Sequence, residues 1–60
     1  MCVEFFYGNE LLVIAHIEQV PRVGDHFMFE KDSYRVISTV WKLVKFDPLD
    51  RYCVKVYLER

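Results

Sequence analysis

The chain has sixty residues, eight Lys and Arg against nine Asp and Glu, and 53% hydrophobic residues, so it is small, nearly neutral and strongly apolar. That composition excludes a disordered segment, which lacks the apolar surface to fold, and argues against a general phosphate-backbone binder, which needs an excess of cations. The longest apolar run, residues 11–15, falls far short of the roughly 20 residues of a membrane-spanning helix.

One domain, 1–60, is the expectation. A chain of this size buries only about 60% of its unfolded surface, so its core must be dense. Five Phe, four Tyr and one Trp supply the bulk for that core. They also exceed what one small core can hide, which makes a partner-binding face or self-association as a homodimer an expectation. Cys2 and Cys53 lie near opposite ends, and nothing resembles a signal peptide. The pair is read as reduced thiols, which places the chain in the cytoplasm.

Residues 2–7 alternate as a strand, with Val3, Phe5 and Tyr7 on one face and Glu4 and Phe6 on the other. Gly8 and Asn9 then mark a hairpin. Residues 11–20 form a second strand whose odd positions Leu11, Val13, Ala15 and Ile17 face the core. Val20-Pro21-Arg22-Val23-Gly24-Asp25 is the clearest turn: proline fixes φ and cannot donate to a ladder, and Gly24 can take a positive φ. Residues 26–30 alternate with Phe27 and Phe29 inward, and Lys31-Asp32-Ser33 reads as a polar turn. Residues 34–45 carry apolar side chains on both faces, the pattern of a strand that bends or bulges. Phe46-Asp47-Pro48-Leu49-Asp50 is a second loop, and residues 51–58 close the chain with Tyr52, Val54, Val56 and Leu58 on one face. Five strands, short turns and no helical period predict an all-β fold, a five-stranded antiparallel, strongly bent sheet or SH3-like barrel.

The run Val-Pro-x-x-Gly-Asp followed by Tyr-x-Val-x-x-x-Val-Trp, from Val20 to Trp41, resembles the core of small SH3-like barrel proteins. More narrowly it is similar to short uncharacterised proteins of bacteria and their phages that pair a Pro-x-x-Gly-Asp turn with a Tyr-x-Val strand. The resemblance covers about a third of the chain. It implies a bacterial or phage origin and carries over no catalytic residue.

The residue types for nucleophilic catalysis are Cys2 or Cys53 with His16 or His26, but no third group orients such a pair. The same four could in principle ligate zinc, yet they lack any Cys-x-x-Cys or His-x-x-x-His spacing. The chain is therefore read as no enzyme, with no cofactor and no metal. Binding is the stronger reading. Pairing Lys45 with Arg51 sets Leu43 opposite Cys53, Trp41 opposite Lys55 and Thr39 opposite Tyr57, and Ile37 extends the same outer face. Those large apolar types are enriched in binding hot spots. Ile37, Trp41, Leu43, Lys55 and Tyr57, with Arg22 from the proline turn, are the expected contacts to a protein partner, a host protein or a second copy. The function expected is a phage-encoded inhibitor or adaptor. The alternative is a single-stranded nucleic-acid binder that stacks bases on Trp41 and Tyr57 beside Lys42, Lys55 and Arg35; the net charge counts against it.

Overall fold

The computed structural model describes residues 1–42 and 53–60. They form five strands: β1 (Cys2–Tyr7), β2 (Glu10–His16), β3 (His26–Phe29), β4 (Asp32–Val40) and β5 (Cys53–Glu59). The strands make one sheet in the order β2-β1-β5-β4-β3. The sheet is strongly curled into a half-barrel. Aromatic contacts measure that curl. β1 and β3 are three steps apart in the sheet, about 14 Å if it were flat, yet the rings of Phe5 and Phe27 lie 4.9 Å apart. Tyr7 and Tyr34, two steps apart, stand at 5.6 Å.

Three of the four pairings are antiparallel, as expected of a bent meander. The central one is not: β1 runs parallel to β5, with Val3 beside Val54 and Phe5 beside Val56. The strands farthest apart in the chain thus become the middle of the sheet. No helix of the described residues is long and apolar enough to cross a membrane.

The concave face holds the core. Val3, Phe5, Tyr34, Val36, Val54, Val56 and Leu58 are buried, and Val13, Ala15, Ile17, Val20, Phe27 and Phe29 pack around them. The seven buried side chains each contribute about 1.5–3 kcal/mol of hydrophobic stabilisation relative to exposure. No buried side-chain nitrogen or oxygen among the described residues lacks a partner.

Two hairpins share one geometry. Tyr7 pairs with Glu10 across a two-residue loop, and Gly8 takes φ of 61° while Asn9 does not turn positive. That is the loop whose first central residue is normally glycine. Phe29 pairs with Asp32 in the same way, but here the residue at φ of 57° is Glu30. The turn is therefore Glu30-Lys31, not the expected Lys31-Asp32-Ser33. Asp32 and Ser33 already belong to β4.

The proline turn behaves as its residues dictate. The Asp25 amide donates to the Arg22 carbonyl at 3.0 Å, with Gly24 at φ of 96° in the third position, a turn that demands a positive φ there. The Asp25 carboxylate accepts from the Arg22 amide at 2.8 Å. Gly24 donates to Val36, and Val36 donates to Asp25, each at 2.9 Å, so the turn is tied to β4. The link of residues 17–25 carries the chain from one edge strand to the other.

Two bulges redirect the strands. In β2 the register shifts so that Val13 faces Phe5 but Leu11 faces Phe6. Leu12 is the extra residue, and Leu11, expected in the core, turns outward. In β4 the shift falls at Ile37, between Val36 opposite Leu58 and Ser38 opposite Tyr57. This is the bulge that apolar residues on both faces of residues 34–45 predict. It moves Thr39 to the core side, opposite Val56, and Val40 to the outer side, opposite Lys55.

Cys2 and Cys53 form a disulfide, with Cα atoms 4.7 Å apart and a sequence separation of 51. The expectation of reduced thiols is overturned by register: Cys2 and Cys53 face each other directly across the parallel β1–β5 pair. Loop-closure entropy makes such a bond worth about 4 kcal/mol. That is comparable to the whole stability of a small domain, roughly 0.05–0.15 kcal/mol per residue.

Candidate partner-binding face

Outside the two bulges side chains alternate across each strand, so residues that flank a core position there point to the convex side. The registers of four strands assemble these residues into rows. One row reads Leu11, Phe6, Tyr57 and Ser38, and the next reads Ile14, Glu4, Lys55 and Val40. Phe6 and Tyr57 stack with ring centroids 5.4 Å apart and planes 22° from parallel. The Lys55 ammonium lies 5.8 Å from the Phe6 ring centre, within reach of a cation–π contact.

Around this stack the face is open and apolar. Leu11, Ile14, Ile37, Val40 and Trp41 are each between 42% and 50% exposed. The bulge supplies Ile37, because two residues of a bulged strand oppose one on its partner. Charge on the face is balanced locally, since Glu4 lies opposite Lys55. At the neighbouring end Arg35 forms an ion pair with Glu59, its register partner. Both side chains are well exposed, so the pair contributes at most about 1 kcal/mol. Arg60 pairs with Asp32 at 3.0 Å and lies over the rings of Tyr7 and Tyr34. Tyr34 first, and then Asp32, hold its guanidinium above the ordinary arginine range.

Of the residues expected from sequence to bind a partner, Lys55, Tyr57 and Ile37 come together on this face. Trp41 lies beyond the last residue of β4 and is half exposed. It does not stand opposite Lys55; Val40 does, because the Ile37 bulge shifts the register. Thr39 likewise loses its place opposite Tyr57 to Ser38. Leu43 lies outside the described residues. Arg22 belongs to the link of residues 17–25 and not to the strand rows, and its amide is engaged by Asp25. Sequence reasoning missed Leu11, Ile14, Val40 and the centre of the face, Phe6. The alternation of Glu4 and Phe6 away from Val3 and Phe5 was the available signal for Phe6.

Three of the four histidine and cysteine candidates are neighbours, and only His26 lies apart. Cys2 and Cys53 are joined, His16 stands opposite Cys2, and His26 stands opposite Arg35. Among the described residues no three His, Cys, Asp or Glu side chains are placed to hold a metal ion. The open side of the half-barrel leaves a cleft of about 470 Å³ between residues 17–21 and β3, lined by Phe5, Ile17, Val20, Pro21, His26 and Phe27 among others. No protein-family model, no curated protein and no solved structure matches the chain.

Proposed function

We propose that this chain is a non-enzymatic protein-binding module whose contact surface is the convex face centred on Phe6 and Tyr57. The supporting observation is the stacked aromatic pair at the middle of an exposed apolar field drawn from β2, β1, β5 and β4. Large apolar patches mark interfaces, and aromatic anchors ringed by aliphatic residues are the usual hot spots. A role as inhibitor or adaptor acting on a host protein accords with the resemblance of Val20 to Trp41 to small bacterial and phage barrels. The nucleic-acid alternative is weakened at Arg35, which Glu59 engages, so one of the cations that would meet phosphates is already matched.

Affinity capture from a bacterial lysate with wild type, Tyr57→Ala and Arg22→Ala tests the reading. A hot spot is worth about 2 kcal/mol or more, so Tyr57→Ala should recover its partner with affinity lower by roughly thirtyfold, while Arg22→Ala should match wild type. Equal recovery by wild type and Tyr57→Ala overturns the assignment of the face.

A further inference from the structure

Cys2 and Cys53 occupy one register position on the two central strands, where the chain enters both β1 and β5. The pairing they fasten is parallel, the less stable kind per residue. It carries most of the core, since Val3 and Phe5 come from β1 and Val54, Val56 and Leu58 from β5. The bond also closes a ring over almost the whole chain, which is where a disulfide constrains the unfolded state most. A domain of this size has little other stability in reserve.

The two sulfurs sit on the convex side, at half-buried positions. Thiolate attack needs access of this kind. On that face they are two residues along the strands from Glu4 and Lys55, and four from Phe6 and Tyr57.

We infer that the Cys2–Cys53 bond is a redox latch on the fold. A dithiol reduces it by two electrons through a mixed disulfide: the Cys2–Cys53 bond breaks, the dithiol's two protons end on the two cysteine sulfurs, and the dithiol leaves as its own disulfide. Release of the latch detaches β5 from β1 and shifts the chain toward its unfolded form. The Phe6–Tyr57 surface has one ring on each of those strands, so it is lost with the pairing. This last step rests on the surface reading above; the latch does not.

Urea unfolding followed by circular dichroism, with and without dithiothreitol, tests the latch without any partner. Dithiothreitol should lower the folding equilibrium constant on the order of a thousandfold, with a matching fall in the urea midpoint. The Cys2→Ser/Cys53→Ser double variant should behave as reduced wild type and ignore dithiothreitol. If that variant does not fold, amide hydrogen exchange on wild type decides, because the Val54 and Val56 amides should lose protection when dithiothreitol is added. Coincident midpoints for oxidised and reduced wild type, or unchanged exchange at Val54 and Val56, overturn the latch. Tyr57→Ala should keep the full response to dithiothreitol, so a failed surface reading still leaves the two midpoints apart.

Discussion

Glu30 and Gly8 occupy the same place in two hairpins of the same geometry, and only one of them suits it. A non-glycine residue at positive φ costs about 1–2 kcal/mol, whereas glycine loses about 0.5–1 kcal/mol to its looser unfolded state. Glu30→Gly should therefore stabilise the protein by up to about 1 kcal/mol, read as a rise in the urea midpoint. Gly8→Ala should do the opposite by about 1–2 kcal/mol; since a side chain at Gly8 meets nothing within 4 Å, backbone strain alone would be the cause. This contrast also explains what could be read from the residues alone. Gly8-Asn9 announces its turn because glycine is the residue that positive φ selects. Glu30 is a residue type found anywhere, so the neighbouring Lys31-Asp32-Ser33 attracts the turn assignment wrongly.

At the scale of strands, alternation is legible, and so is a bend or bulge in residues 34–45, but not the residue at which an interruption falls. Val3 and Phe5 inward, and Val54, Val56 and Leu58 inward, follow from period two. Leu12 and Ile37 are apolar residues among apolar neighbours, so nothing in their type says which one is extra. The consequence is large, because a slip of one residue turns every later side chain to the opposite face. That is why Leu11 and Val40 join the outer face, and why the expected facing of Trp41 and Lys55 fails. Deleting Ile37 would restore simple alternation between β4 and β5. It should leave Ser38 and Val40 outward and Thr39 inward, because their places opposite Tyr57, Lys55 and Val56 do not change, and remove only the half-exposed Ile37 from the outer face, so stability should change by no more than about 1 kcal/mol. Chemical denaturation would measure it. The β2 bulge has a second effect, since a bulge twists an exposed edge away from straight pairing, and β3, the other edge, is only four residues long. Both devices discourage edge-to-edge aggregation.

For the whole molecule, an all-β class and strong bending follow from composition and turns, but the parallel meeting of β1 and β5 has no local signature. Neither does the disulfide, because 51 positions of separation carry no spacing signal of the kind that Cys-x-x-Cys does. The core lies where these two strands meet. Leu58→Ala should accordingly cost about 2–5 kcal/mol, enough to leave the protein largely unfolded once the disulfide is also reduced. Because the convex face is balanced in charge, partner affinity should change little between low and high salt, whereas a phosphate-binding surface would lose affinity steeply. A salt titration of the captured complex distinguishes the two.

The parallel pairing at the centre also bears on how the protein is made. β1 and β2 emerge early and can form their hairpin at once, and β3 and β4 can do the same. The strand that must lie between these hairpins is synthesised only after both, with a sequence separation of 51 from Cys2 to Cys53. During that interval two half-sheets present apolar concave faces with no central strand to join them. Long-range pairing is slow to form, and exposed strand edges in the meantime invite association with other chains. Yield in the cell should therefore depend on how quickly β5 is delivered, and a chain cut before Cys53 should accumulate as aggregate rather than as a smaller folded domain.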